Sequence, residues 1–395
     1  MQGKLYAHRL FDGRSQAYRE QVVVLFDEQG TVVDIRPASR KDADALLSDQ
    51  ALYILPGLVD AHDHLTIDFG DGVEARSLTR EQKLLRAVRR AREYLAAGIT
   101  LLRSPGEHYG LGQVIKDALR RGWIEGPALY AAGEPLAMTG GHGWYISCEV
   151  DGVEALRAAI RRQVKSGCDF IKLIASGGVT AEGSELARSE FTRDELWAAV
   201  DEAHRRGRPV TAHVYGGEAL DWLIDAGIDA VEHASFAAPE QLRRMAEGGV
   251  TMVVTASVMI AGGRAGHIRP FMREKFAQAA AVYKETVSRA FQAGVAMVAG
   301  CDTHHCHLGD EVAFLMDAGL PPFTALQAIT DGPAGLMGLR DRHGWLGPGS
   351  RADMIVLRDD PTQDPTVIND PLMVLQGGRV VAPAPGPAGG GGSRA

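Results

Sequence analysis

Six side chains that can bind a metal ion lie in the middle of this chain, each in or just after a short apolar run. They are four imidazoles, one amine and one carboxylate: His62, His64, Lys172, His213, His233 and Asp302. Because alternate residues of a strand face the same side, His62 and His64 can point into one cavity and share a metal ion. Imidazoles and carboxylates are ligands of zinc and similar divalent cations. Brought together by the fold, these residues would form a metal site.

The apolar runs that hold these residues predict the elements that position them. Eight runs are present: LPGLVDA, ITLLR, PALYAA, FIKLIA, PVTAH, DAVEH, VTMVVT and VAMVAG. Segments with helical periodicity separate most of them, over residues 81–97, 110–121, 152–166, 192–207, 216–226, 238–247 and 271–293. This alternation predicts an α/β fold, a (β/α)8 TIM barrel, with an open doubly wound sheet as the alternative. In such a barrel the chemistry lies at the carboxyl ends of the strands.

Both ends of the chain carry stronger β-strand signals than the middle. VVVLFDEQG and TVVDIRPA are β-branched runs around a turn near the amino terminus. Near the carboxyl terminus ADMIVL is a further run, and LMVLQGGRVV is typical of a hairpin with Gly-Gly at its turn. The last residues, 384–395, are low-complexity Gly and Pro sequence, which predicts a disordered tail.

The composition excludes several classes of function. The chain has 42 basic and 50 acidic residues, a formal net charge of −8, and no long basic run, which argues against nucleic-acid binding. Its four cysteines do not make a disulfide scaffold. No signal peptide is visible, and no apolar stretch is long enough to span a bilayer. We expect a cytoplasmic protein with a small-molecule substrate and with neither a nucleic-acid nor a membrane partner.

Taken in order, the motifs resemble those of one family. LPGLVDAHDHL, FIKLIASGGV, TAHVYG, VEHAS and GCDT are similar to the successive metal-site motifs of the amidohydrolase superfamily, in its imidazolonepropionase-like and prolidase-like branches. PGSRADMIVL and VLQGGRVV resemble the small composite β-sandwich of that family. The resemblance covers residues 1–383. It implies a barrel over residues 56–340 and a sandwich formed by residues 1–55 and 341–383.

The resemblance also implies a centre with two divalent cations, which we expect to be zinc. In this family pattern His62, His64 and Asp302 bind one cation, and His213 and His233 bind the other. A hydroxide held by the metals would attack the substrate.

Two further roles follow from the same resemblance. Lys172 would be carboxylated and would bridge the cations, and Asp302 would take the proton of the hydroxide. From chemistry alone, a lysine on a buried strand more often pairs with a carboxylate. It can also lose its proton by desolvation and react with carbon dioxide to give a carbamate, which is an anionic oxygen ligand.

Three residues are candidate substrate contacts. His142 follows two glycines in MTGGHGW, where the family has a similar segment near the substrate carbonyl; the alternative is a loop histidine bonded to backbone. Tyr215 lies two residues after His213, where prolidase-like relatives contact the substrate carboxylate. Arg103 ends the second run and is suited to a carboxylate, but a salt bridge at the barrel rim explains it equally well.

We therefore predict a hydrolase that uses a metal-bound hydroxide to cleave an amide bond. The predicted substrate is a small molecule with a carboxylate, such as a dipeptide or an N-acyl amino acid. The first alternative is a cyclic-amide hydrolase like imidazolonepropionase. A more distant one is a barrel that binds a ligand without catalysis. We also expect a homo-oligomer.

Overall fold

The computed structural model of the protein describes residues 3–39, 52–69 and 77–382. The predicted disordered tail, residues 384–395, lies outside these described residues. So does part of the predicted amino-terminal β-region, residues 40–51.

The strands, in chain order, are β1 (Gly3–Leu10), β2 (Arg19–Phe26), β3 (Val32–Pro37), β4 (Tyr53–Pro56), β5 (Leu58–Asp60), β6 (Ile99–Ser104), β7 (Ala128–Ala131), β8 (Leu136–Ala137), β9 (Cys148–Glu149), β10 (Ile171–Ile174), β11 (Val210–Gly216), β12 (Ala230–Phe236), β13 (Thr251–Val254), β14 (Met297–Ala299), β15 (Met354–Leu357), β16 (Met373–Gln376) and β17 (Arg379–Ala382). The α-helices are α1 (Arg80–Ala96), α2 (Leu111–Arg120), α3 (Val153–Lys165), α4 (Arg193–Arg205), α5 (Gly217–Asp225), α6 (Pro239–Gly248), α7 (Ala256–Arg264), α8 (Pro270–Gln292), α9 (Leu308–Asp317), α10 (Pro322–Gln327) and α11 (Asp331–Leu336). Within the described residues, 3-10 helices span His108–Gly110 and Pro365–Asn369.

Eight parallel strands form a closed barrel. The order β5-β6-β7 continues into β10-β11-β12-β13-β14 through a parallel bridge between Ala132 and Phe170. The ring closes where the amide of Ala61 donates to the carbonyl of Ala299 at 3.0 Å. All eight predicted apolar runs supply one barrel strand each. The TIM barrel is therefore confirmed, and the open doubly wound sheet is excluded.

The helices between the strands follow from local sequence signals. At α4, which covers most of the predicted helix 192–207, Thr192 and Glu195 form a capping box, with each side chain accepting from the backbone amide of the other. Thr79 and Gln82 form a second capping box at α1. The seven predicted helices all form, whereas α7, α9, α10 and α11 were not predicted. Helix α7 lies with α8 between β13 and β14, so two helices follow the seventh barrel strand.

The terminal segments form a separate seven-stranded sheet in the order β17-β16-β15-β4-β1-β2-β3. The amide of Val32 donates to the carbonyl of Ser350 at 2.8 Å, which ties the edge strand β3 to the segment before β15. The sheet thus folds over its own apolar core, whose largest members include Leu10, Phe26, Ile54 and Met354. This is the small composite β-sandwich that accompanies the barrel.

Among the described residues, none of the helices is both long enough and apolar enough to cross a membrane.

Candidate active site

A cavity of about 100 Å³ opens at the carboxyl ends of the barrel strands. Every predicted metal ligand lines it: His62, His64, Lys172, His213, His233 and Asp302. Two of the three predicted substrate contacts, His142 and Tyr215, line it as well. The fold thus brings together side chains that lie up to 240 residues apart in sequence. Their roles as metal ligands stay a prediction.

His62, His64 and Asp302 form a compact group, the first half of the cluster. Asp302 Oδ1 lies 3.4 Å from His62 Nε2 and 3.7 Å from His64 Nε2. Donor atoms arranged tetrahedrally about 2.1 Å from a zinc ion lie about 3.4 Å apart. These three donors are therefore spaced as ligands of one cation would be.

In each imidazole of this half, the ring nitrogen that points away from Asp302 is hydrogen-bonded to an oxygen. That oxygen can only accept a hydrogen bond. His62 Nδ1 donates to Glu232 Oε2 at 2.7 Å, and His64 Nδ1 donates to the carbonyl of Gly106 at 2.7 Å. In their neutral form both rings keep the proton on Nδ1 and direct Nε2 towards Asp302. Outer partners of this kind fix the orientation of imidazoles that bind metals.

Two carboxylates, Asp302 and Glu232, raise the proton affinity of the first half. Burial alone would lower the pKa of His62, but the carboxylates of Asp302 and Glu232 raise it to about 9. Burial likewise opposes the ionisation of Asp302, yet His62, His233 and His64 hold its pKa well below the usual range. A site that attracts a proton so strongly also attracts a metal cation, because the two compete for the same atoms.

Glu232 is a further residue of the candidate site, which the sequence analysis did not identify. This fully buried carboxylate in β12 accepts from His62, from Thr211 Oγ1 at 2.5 Å and from Arg103 Nη1 at 2.9 Å. Burial would raise its pKa, but the charges of Arg103, Lys172 and His62 keep the pKa well below its ordinary value. A charged residue inside the apolar run Ala-Val-Glu-His was the signal that could have found it.

Arg103 does not reach the cavity, and its predicted contact with the substrate is withdrawn. Its guanidinium donates to Glu232 and to the carbonyl of Ala61 at 3.0 Å, and it lies 4.3 Å from the ring centre of Phe170. The side chain is 3% exposed. The structure corresponds to the salt-bridge alternative, in which Arg103 holds Glu232 beneath His62.

His213, His233 and Lys172 form the second half of the cluster. His213 Nε2 donates to the carbonyl of Gly177 at 3.0 Å, which leaves Nδ1 available to the cavity. His233 Nδ1 pairs with Thr255 Oγ1 at 2.7 Å. Burial lowers the pKa of His213 well below its ordinary value and the pKa of His233 to about 3. Both imidazoles are therefore neutral at pH 7.

Lys172 is 3% exposed, and its Nζ lies 4.0 Å from Glu232 Oε1. Burial lowers its pKa to about 8, although the charge of Glu232 acts in the opposite direction. The unprotonated amine is accordingly more abundant at neutral pH than in an exposed lysine, and this is the form that adds carbon dioxide.

Two of the candidate ligands have left-handed backbone conformations. His233 has φ 69° and Asp302 has φ 42°, and Ala234 and Thr303 after them have φ 53° and 70°. Such values are uncommon for residues other than glycine and cluster at functional sites. The turn at His233 lets two adjacent side chains serve the site, since Glu232 points beneath the cluster while His233 lines the cavity.

His142 is held over the second half of the cluster. Its amide donates to both carboxylate oxygens of Glu190, at 2.8 and 2.9 Å, and Nδ1 lies 3.1 Å from Thr180 Oγ1. Its ring centre is 4.5 Å from that of His213. Burial lowers the pKa of His142 to about 4, so the ring is neutral at pH 7. Gly178 makes room for it, because a Cβ there would lie 2.2 Å from His142 Nε2.

Tyr215 lies between the candidate metal ligands and an apolar part of the lining. Its ring stacks on His233 with centres 5.3 Å apart, and its hydroxyl donates to Met259 Sδ at 3.6 Å. A thioether is a weak acceptor. The hydroxyl can therefore exchange this partner for a stronger one, such as a substrate carboxylate.

The donor set fits divalent cations. It offers four imidazoles, one ionised carboxylate and one lysine with a lowered pKa, all facing a single cavity. Zinc prefers imidazole and carboxylate ligands of this kind.

Comparison with known proteins agrees with the geometry. A model of the amidohydrolase family matches residues 53–381. Ochratoxinase of Aspergillus niger is 29% identical over 430 aligned positions, which cover 98% of this chain and 88% of that protein. An uncharacterised protein of Mycobacterium tuberculosis is 30% identical over 371 positions, covering 89% of this chain and 91% of its own.

The solved structures include close matches to the fold. A prolidase complexed with N-methylphosphonate-L-proline superposes with a TM-score of 0.86 at 25% identity, covering 97% of this chain and 100% of that one. The structure of A. niger ochratoxinase superposes with a TM-score of 0.84 at 25% identity, covering 97% and 96%.

Proposed function

The chain belongs to the amidohydrolase family, and on that premise we propose that it cleaves the amide bond of a small molecule with a free carboxylate. A dipeptide or an N-acyl amino acid is the expected substrate. The observation that carries the proposal is the convergence of four imidazoles, one carboxylate and one buried lysine on a single cavity. The prolidase of similar fold was solved with a ligand built on L-proline, and proline carries a carboxylate.

Two divalent cations, which we expect to be zinc, would be held by the residues that line the mouth: His62, His64, Asp302, His213, His233 and a carboxylated Lys172. When bound, such cations lower the pKa of a water molecule to about 7 and polarise a carbonyl.

The side chains around the cavity supply the remaining steps. Asp302 accepts the proton of the attacking water and passes it to the leaving amine, since its pKa keeps it ionised beforehand. Neutral His142 donates a hydrogen bond to the substrate near the second half of the cluster. Tyr215 donates its hydroxyl to the substrate carboxylate. Glu232, held by Arg103, keeps His62 oriented.

The test compares a substrate acid with its neutral analogue. Zinc-loaded protein is assayed on N-acyl amino acids, dipeptides, their carboxamides, and lactams. We expect kcat/KM to favour the free acid by about 1–3 kcal/mol, the scale of a hydrogen bond to a charged group. Tyr215→Phe should reduce this preference. Tyr130→Phe, a change outside the cavity, should leave it unchanged.

Each of the other outcomes would revise the proposal or support one of the alternative functions. Equal kcat/KM for acid and carboxamide would remove the carboxylate from the proposal. Hydrolysis of lactams alone would support the cyclic-amide hydrolase. Zinc binding without hydrolysis of any amide would support a barrel that only binds a ligand.

A further inference from the structure

The helices that follow the seventh barrel strand build an apolar side of the cavity. Val258 and Met259 lie near the start of α7, and Met272 and Phe276 lie one turn apart near the start of α8. All four line the cavity, and none is more than 5% exposed. Buried apolar side chains that face a cavity gain contacts when an apolar group enters it.

We propose that these four residues, the apolar subsite, bind a bulky apolar group attached next to the scissile amide. An aromatic or a branched aliphatic side chain has the required chemistry. The inference rests on the proposed amide hydrolysis and names the class of substrate within it.

The apolar subsite lies next to the reacting centre. His233 stacks on Tyr215, and Tyr215 in turn reaches Met259 with its hydroxyl. A single side chain thus separates a candidate metal ligand from the subsite. A group on the atom next to the scissile amide can therefore occupy the subsite while the carbonyl lies at the metal ligands.

The position of α7 is fixed by contacts at two points. Glu311 of α9 accepts from the amides of Ala256 and Ser257, at 2.9 and 2.7 Å, at the amino-terminal end of α7. Further along α7, Gly262 lies against the ring of Phe276, where a Cβ would come within 2.4 Å of the ring. The close approach that glycine allows holds Phe276 against α7.

Lys275 joins α8 to the loop after β10. It lies between Met272 and Phe276 in sequence, and its Nζ donates to the carbonyls of Gly178, Ala181 and Ser184 at 3.2, 2.5 and 2.5 Å. That loop carries Val179, which also lines the cavity. The ammonium group thus binds backbone carbonyls. Its neighbours on α8, Met272 and Phe276, face the cavity.

The subsite should select against charge as well as for size. None of its four side chains can pair with an ion, and an ion moved out of water without a partner is strongly disfavoured. A substrate with Glu in place of Leu should therefore react slowly, although the two side chains have similar lengths.

The experiment uses zinc-loaded protein and two matched series of substrates. One series varies the amino acid: the N-acetyl derivatives of Ala, Leu, Phe and Glu. The other varies the acyl group: acetyl, hexanoyl and phenylacetyl glycine. We expect kcat/KM to rise about tenfold or more from the smallest to the largest apolar member of one series, and the Glu derivative to fall below the Ala derivative.

Variants then test whether the preference for apolar groups arises at the apolar subsite. In the series that responds to apolar size, Phe276→Ala should lower the ratio of kcat/KM for the largest and the smallest apolar member by roughly tenfold. Phe291→Ala, on the same helix but outside the cavity, should leave the ratio unchanged. Because Phe276→Ala removes a core side chain, Met272→Gln, which nearly conserves volume, is measured alongside and should also lower the ratio. Zinc content and thermal unfolding confirm that each variant is folded.

The results separate this inference from the proposed function. A flat response to apolar size in both series, with hydrolysis retained, overturns the subsite alone. So does an unchanged ratio in folded Phe276→Ala or Met272→Gln protein. Failure to hydrolyse any member of either series overturns the proposed function as well.

Discussion

The two halves of the cluster differ in charge although both are built from imidazoles. In the first half Asp302 and Glu232 supply two ionised carboxylates, and the pKa of His62 is raised to about 9. In the second half the outer partners are neutral, a backbone carbonyl and a hydroxyl, and burial lowers the pKa of His233 to about 3. The first half thus contains the carboxylates of the cluster, whereas the second half contains neutral imidazoles and Lys172.

This difference gives Lys172 a physical role. As an ammonium group it lowers the pKa values of His213 and His233 and adds positive charge to the second half. As a carbamate it would replace that charge with a negative one and offer two oxygen ligands. In the proposed function a carboxylated Lys172 would therefore favour a cation in the second half. The predictions below test this contrast.

The largest effect is expected for Asp302→Asn. The amide cannot accept the proton of the attacking water, so kcat should fall by a factor on the order of 10²–10⁴. The KM for the substrate should change much less than kcat. Zinc content measured on the same sample distinguishes lost proton transfer from lost metal. Asp317→Asn, at an exposed position, is the control. An unchanged kcat would remove Asp302 from the chemistry.

Lys172→Ala tests the second half directly. We expect zinc to fall from two to about one per chain, because the first half keeps its carboxylates. Activity should drop on the order of 10²-fold, because the transition state would lose the charge stabilisation that one cation provides. Added short carboxylates, such as acetate, should restore part of the zinc content and part of the activity. Lys284→Ala is the matched exposed control. Two zinc ions in the alanine variant would contradict the carbamate.

Glu232→Gln weakens the first half without removing a ligand. His62 would lose its charged partner, and Arg103 would keep a buried charge without compensation. Loss of such an outer partner typically costs 10- to 100-fold in metal affinity or activity, and we expect about that range. Competition with a chelator measures the affinity. Glu285→Gln, on the surface, serves for comparison. Equal zinc affinity would mean that His62 needs no charged partner.

Thr255→Val should have the smallest effect. It removes the neutral hydrogen bond to His233 Nδ1, worth about 1 kcal/mol, which corresponds to roughly fivefold in zinc affinity of the second half. The same chelator titration applies. An effect as large as that of Glu232→Gln would erase the contrast between charged and neutral outer partners.

Local sequence determined the barrel and its reactive residues. Each strand needs only a short β-branched or apolar run, and each helix a periodic stripe with a cap such as Thr192 and Glu195. Since side chains alternate along a strand and barrel strands end at one mouth, the positions of His62, His64 and Asp302 followed from the runs before them. The capping boxes and strand runs are short-range signals, which a single sequence contains.

Only the tertiary structure decided which other side chains serve the site. Arg103 and Glu232 are 129 residues apart, and nothing near either one in sequence indicates that they pair. The left-handed conformation of His233 lets its side chain line the cavity, although the adjacent Glu232 of the same strand already points to His62. Likewise, the first turn of α7 lines the cavity because Glu311 and Phe276, from other helices, hold it there. These interactions join distant segments, so they exist only once the chain has folded.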